Sequence, residues 1–453
     1  MKPMHIRHMT RLCIFAFIAF VMVNTSMAIN SSSEVIDAIR SDPATLGWMV
    51  GSPPPENRIL RFEDGSYFRF PAMRWSISNF RQLMPTVNVS RGLEAPAPLP
   101  RAIRPDIESL RFTPIGSTDS MTWAESLTAN YTDGIVVLHK GRIVYERYYG
   151  VFKEDGQHGA MSVTKSVVGI LGAMLVAEGT IDPGKRVPAY VPELADSAFG
   201  DATVRQVMDM TTALQFSEDY TDPSAEIWAH AMAGNPLPKP EDYSGPRTYC
   251  EFLKTVKKQG EHGEAFGYKT VNTDVLGWII ARVTGRSVAQ LLSARIWRHL
   301  GAEQDAYFTV DSVGTPFAGG GLNTGLRDLA RFGEMMRNGG RFNGRQILPK
   351  AAIDDTLSKG KPLVFAKAGY KLLPGWSYRN MWWITNNAHG AFAARGVHGQ
   401  TVYIDPKAEM VIARYASHPM AANSANDPTS PPSSDAILIE VVSSATCQRR
   451  ARH

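Results

Sequence analysis

The sequence predicts an α+β domain: an antiparallel sheet flanked by helices, with an all-helical cluster beside it. Three observations carry this. β-Branched runs begin at Gly134, helical patterns fill the middle of the chain, and strand-like runs return from His398. Strands, then helices, then strands again pair most simply as antiparallel neighbours with helices packed against them.

The chain has 453 residues, 44% hydrophobic and 20% charged, which is ordinary for a globular protein. Residues 1–28 stand apart. Lys2, Arg7 and Arg11 precede an uncharged run from Leu12 to Val23, and Ser26-Met27-Ala28 has the small-x-small form of a cleavage site. This reads as a secretory signal peptide cut after Ala28, and hence as export, to a bacterial periplasm or beyond. An uncleaved anchor is the competing reading, although the twelve-residue run is short against the ~20 residues a bilayer span needs. No later run is long enough to span, so no stable membrane insertion is expected after cleavage. The 48 basic and 43 acidic residues become 45 and 43 without that segment. Such a balance calls for no nucleic-acid partner.

Residues 29–130 read as an irregular extension packed on the main domain, being rich in Pro and aromatic residues, as in Pro53-Pro54-Pro55 and Ala95-Pro96-Ala97-Pro98. The main domain is expected over 131–446. It opens with a hairpin: Ile135-Val136-Val137-Leu138, a turn at Lys140-Gly141, then Ile143-Val144-Tyr145. Helices are expected from Ser162 to a stop at Gly179, and over Ala202–Met210, Thr273–Val283, Val288–Leu300 and Leu326–Arg337. Strands are expected over His398–Ile404 and Glu409–Tyr415, a closing helix over Asp435–Val442, and a basic tail over 447–453. Cys250 and Cys447 remain after the signal is removed, and their spacing says nothing of a bond between them.

Ser162 and Lys165 carry the chemistry. Three residues is close to one helical turn, so hydroxyl and ammonium emerge on one face. Val163, Val167, Val168, Ile170, Leu171, Met174 and Leu175 make the helix apolar nearly all round, as for a helix in a domain centre. Burial there lowers a lysine pKa and frees its lone pair to activate a serine. The helix start also favours negative charge developing at Ser162. The same tetrad equally fits a serine N-cap followed by an exposed lysine. Downstream, Tyr268 offers a phenol that could shuttle a proton to a leaving group. It must be held by cations to act as a base, or else serve as a donor; a core tyrosine capping a helix is the alternative.

Taken in order, Ser162-Val163-Thr164-Lys165, Tyr268-Lys269-Thr270 and the Gly-containing run Ala394-Arg395-Gly396 resemble the serine β-lactamase and penicillin-binding-protein superfamily. Glu218-Asp219-Tyr220, Gly319-Gly320-Gly321-Leu322, Arg327-Asp328-Leu329 and Arg395-Gly396-Val397-His398 are similar to its class C-related branch. The likeness is to the subgroup of 6-aminohexanoate-dimer hydrolases and related esterases, over roughly residues 130–417. The resemblance implies a β-lactamase-like fold, Ser162 as acylated nucleophile, Lys165 as its base and Tyr268 as proton relay. It also implies Val397 N–H paired with Ser162 N–H as oxyanion hole. Gly396 would admit substrate close to its strand, Tyr220 would close over substrate or be a plain surface-loop residue, and His398 would contact substrate or brace its turn. Thr270 stands where β-lactamases carry Asn, and Ala394 where they carry a cation. Both losses argue against β-lactam or D-Ala-D-Ala processing and suit a small linear amide or ester as substrate.

No cofactor is implied. His139, His262, His389 and His398 lack ligand spacing, so no catalytic metal is expected. Gly179–Lys185 imitates a phosphate loop, but Arg186 stands where Ser or Thr is required and Pro183 removes an amide. Against the hydrolase stands a non-catalytic binding or sensor protein on the same scaffold, in which Ser162 acylates at most once.

Overall fold

The hairpin at Gly134 forms one end of a seven-stranded antiparallel sheet. Its strands are β1 (Thr132–His139), β2 (Arg142–Tyr148), β3 (Ser377–Arg379), β4 (Trp382–Ile384), β5 (Phe392–Gly396), β6 (Gln400–Asp405) and β7 (Met410–Ala416). Their spatial order is β3-β4-β5-β6-β7-β1-β2. The computed structural model describes residues 36–358 and 360–430, all within the unit Glu34–His453. The signal segment, the closing helix expected at Asp435–Val442, the basic tail and Cys447 lie outside the described residues. Cys250 has no disulfide partner among the described residues.

Strand β1 is an almost unbroken apolar run because both its faces are covered. Val136 and Leu138 join the main core with Ile170 and Leu329, while Ile135 and Val137 pack with Ile107, Trp123 and Leu127 of the preceding segment. Period-2 geometry sends neighbours to opposite faces, so the segment before Gly134 covers the second face. Each such side chain contributes roughly 1.5–3 kcal/mol by leaving water. That segment is less irregular than its composition suggests. Thr86–Val89 pairs with Ala306–Thr309 in a second, four-stranded sheet that also holds Leu322–Thr324 and His158–Gly159.

Helix α1 (Val163–Ala177) runs through the centre and is buried from Val163 to Leu175; Gly179 follows it at φ +74°. Helix α2 spans Val271–Thr284, and α3 spans Leu326–Arg337 as the periodicity requires. The helix expected over Ala202–Met210 is shorter, Val204–Met208. The stretch Val288–Leu300 is not one regular helix: a wide π turn at Ser293–Trp297 interrupts it, where Ser293 Oγ donates to Ser90 O at 2.8 Å. Strand β6 begins at Gln400 rather than His398, because His398 adopts φ +63°, which no extended strand accommodates. No helix among the described residues is long and apolar enough to cross a membrane.

Candidate active site

The turn into α1 presents Ser162 at the N-cap, directly after Met161 in the left-handed region at φ +45°. Such a conformation is costly for a residue with a Cβ and persists only where its surroundings impose it. Side-chain bonds pin the helix start from both flanks. Thr164 Oγ1 accepts from Leu322 N at 3.1 Å, and Ser166 Oγ donates to Met381 O at 2.7 Å.

Lys165 is 1% exposed, and its Nζ donates to Ser162 Oγ at 2.8 Å and to Gly319 O at 2.6 Å. Both partners are neutral. Burial draws the ammonium down from the usual lysine value to about 8, against the opposing pull of the Glu218 and Asp274 carboxylates. A base poised there, already bonded to a serine hydroxyl, can accept that hydroxyl's proton near neutral pH.

Tyr268 lies across this pair, its ring centroid 5.1 Å from Lys165 Nζ. Burial, reinforced by Glu218, lifts the phenol well above its usual range, and the nearby Ser162 side chain and Arg395 guanidinium only partly oppose this. Of the two roles the sequence allowed, the structure therefore suits the protonated donor. The ring stacks on Trp383 at 5.5 Å and meets Tyr378 edge-on at 6.2 Å.

Strand β5 ends against the serine. A Cβ on Gly396 would sit 2.9 Å from Ser162 N and 3.0 Å from Ala160 O. The glycine thus serves the approach of strand to nucleophile, not only of substrate to strand. Among the described residues neither Ser162 N–H nor Val397 N–H has a hydrogen-bond acceptor. Unpartnered amides at the nucleophile and at the residue after Gly396 are the kind of donor that receives a developing oxyanion.

The four residues expected to meet substrate are placed unevenly. Tyr220 is half-buried at the site, with its hydroxyl 3.4 Å from Glu218 Oε2 and its ring edge-on to Trp228. Thr270 is 2% exposed, donates its N–H to Glu218 and sets its methyl beneath Gly319. It is part of the site's floor. His398 is also turned into structure: Nδ1 bonds His418 O at 2.8 Å, the ring meets Phe68 edge-on, and burial lowers its pKa to about 4. Ala394 is fully buried, as expected of a residue that offers no charge. The neighbouring Arg395 pairs with Asp427 and lies over Trp383 at 5.1 Å, so its charge is matched inside the fold.

Glu218, Gly319, Asp274 and the aromatic wall of Tyr370, Tyr378 and Trp383 also belong to the site, and sequence reasoning assigned none of them a role. Glu218 and Gly319 stood in the quoted family stretches, which was the available signal; the wall is assembled from a segment with no pattern of its own. Among the described residues no three His, Cys, Asp or Glu side chains converge to hold a metal.

Residues 126–428 match the family described as Beta-lactamase. A 6-aminohexanoate-dimer hydrolase from Paenarthrobacter ureafaciens is 35% identical over 355 residues, 78% of this chain and 88% of that protein. The solved structure of a Bacillus anthracis protein provisionally given the same name is 32% identical, with a TM-score of 0.78 over 86% of this chain and 99% of that one. A family VIII carboxylesterase shares the fold at 18% identity, with a TM-score of 0.51 over 70% of this chain and 95% of its own.

Proposed function

We propose, from the premise that this chain belongs to the beta-lactamase family and is a serine hydrolase, that it is an exported enzyme hydrolysing small linear amides or esters through an acyl-enzyme on Ser162. The observation that carries the reading is the buried Lys165 amine, bonded to Ser162 Oγ and Gly319 O with its pKa brought to about 8. Lys165 takes the Ser162 proton as Oγ bonds to the substrate carbonyl carbon. The carbonyl electrons move to oxygen, which accepts from Ser162 N–H and Val397 N–H. Collapse breaks the bond to the leaving amine or alcohol, which takes its proton from the Tyr268 hydroxyl; Lys165 restores that proton. Water then attacks the ester carbon as Lys165 takes its proton, the bond to Ser162 Oγ breaks, Lys165 returns the proton to Oγ, and the acid is released.

Substrate class follows from what lines the approach. With no cation at Ala394 and Arg395 matched by Asp427, nothing there selects a carboxylate, whereas Tyr268, Trp383 and Tyr378 suit an apolar acyl chain. Similarity to a 6-aminohexanoate-dimer hydrolase supports a linear amide. Export rests on the basic and apolar pattern of residues 1–28.

The test is intact mass after a fluorophosphonate, beside turnover of short p-nitrophenyl esters and linear amides, for the wild type and Ser162→Ala. Labelling and turnover that both vanish in the variant support the enzyme. Labelling with a single burst supports the one-shot sensor instead, and no labelling removes Ser162 as nucleophile. Export is checked by the N-terminal sequence of the secreted protein, expected at Ile29.

A further inference from the structure

Gly319 O, which holds the Lys165 ammonium, belongs to a peptide that is itself held. Gly319 N–H donates to Asp274 Oδ1 at 3.1 Å, and Asp274 Oδ2 lies 2.9 Å from His230 Nε2. Facing a carboxylate, that nitrogen is the donor. Nδ1 has no partner, and His230 is fully buried among the rings of Phe216, Tyr249, Phe252 and Phe317. Phe317 opens the turn that ends at Gly321, whose N–H donates to Phe317 O at 2.8 Å, so the dyad grips the glycine turn twice. There is little slack: a Cβ at Gly319 would meet Thr270 Cγ2 at 2.3 Å.

We propose that Asp274, oriented by His230, is a positioning residue for acylation: it locks the Gly319 peptide against Lys165, and its negative charge sets how readily that ammonium releases its proton. The inference rests on the Ser162–Lys165 reading above. The other groups acting on Lys165 are the Glu218 carboxylate and the ring of Tyr268. Around the dyad, Tyr249 and Cys250 are held above their usual values, mainly by burial, Cys250 at about 12. Asp311, a further carboxylate there, accepts from Tyr249 N–H at 3.1 Å.

Asp274→Asn keeps the shape and an acceptor for Gly319 N–H but deletes the charge, and His230 meets the new amide by changing tautomer. Loss of an anion disfavours the ammonium, so the acid limb of the labelling rate against pH moves to lower pH, by about 0.5–1 unit for one charge at this range in a partly screened interior. His230→Leu removes the donor that orients Asp274, so the Gly319 peptide is held less firmly and the plateau labelling rate falls. His230→Gln restores a donor and recovers the plateau rate.

The experiment is the fluorophosphonate labelling rate from pH 5 to 10 for these variants, each checked for folding by circular dichroism. A wild-type limb near the Lys165 value, a shifted limb in Asp274→Asn, and a lower plateau in His230→Leu that His230→Gln recovers are the expected result. An unmoved limb in folded Asp274→Asn overturns the inference and leaves the Ser162 assignment standing; if that variant does not fold, an unchanged plateau rate in folded His230→Leu does the same. A wild type that is not labelled overturns both.

Discussion

Gly396→Ala adds one methyl group at the contact between strand and nucleophile. Gly396 has φ −137° and ψ 155°, a conformation alanine adopts freely, so any effect comes from contact rather than backbone strain. The new Cβ would lie 2.9 Å from Ser162 N, 3.0 Å from Ala160 O and 3.1 Å from Gln400 Cβ. Two of the three are backbone atoms on the turn that carries Ser162, so relief must displace either that turn or the end of β5. Overpacking of this kind costs about 1–3 kcal/mol of stability, a fall of a few degrees in Tm for a chain of this size. The catalytic cost is larger, because the displaced atoms are the Ser162 amide and its neighbour Val397. Losing one oxyanion donor costs about 3–4 kcal/mol, or 10²–10³ in kcat. The assay is kcat and KM on a short p-nitrophenyl ester beside a thermal scan. A folded variant within threefold of wild-type kcat would refute the oxyanion assignment.

Other consequences are as concrete. Because Lys165 is drawn from 10.5 to about 8, the folded state binds fewer protons than the unfolded one between those values. Stability contributed at this residue therefore rises with pH across that window, by up to about 3 kcal/mol; urea unfolding at pH 7.5 and 10 should show the wild type gaining stability relative to Lys165→Met as pH rises. The same value puts the acid limb of wild-type kcat/KM near pH 8, activity rising with pH as the amine becomes neutral. Asp427→Asn removes the partner of Arg395, leaving a buried cation, so stability falls by about 3 kcal/mol while KM for a carboxylate-bearing ester drops relative to a neutral one; an unchanged KM ratio would show that Arg395 is out of substrate reach. His398→Asn tolerates the φ of +63° but loses the bond to His418 O and the Phe68 contact. It should lower Tm with KM held within about twofold, and a large rise in KM would return His398 to the substrate-binding residues.

What could be read from the sequence was what local geometry dictates. The β-branched run Ile135–Leu138 specified a strand, the period of Leu326–Arg337 a helix, and a three-residue spacing on an apolar helix was enough to pair Ser162 with Lys165. Tyr268 and the Ala394–Gly396 strand were reached through the order of motifs, because nothing in the 105 intervening residues fixes that a phenol returns to a serine.

The tertiary structure alone decided the rest. Thr270 and His398 became scaffold once Gly319 and His418 closed on them. Glu218 became a site residue by accepting from the Thr270 amide, and Asp274 came within reach of Lys165 only through the Gly319 peptide. The physical reason is one of range. Backbone propensity and periodicity act over a turn or a strand pair, whereas burial, charge and hydrogen-bond satisfaction depend on which distant segments fold over a residue. These are the quantities that make a lysine a base and a histidine a brace.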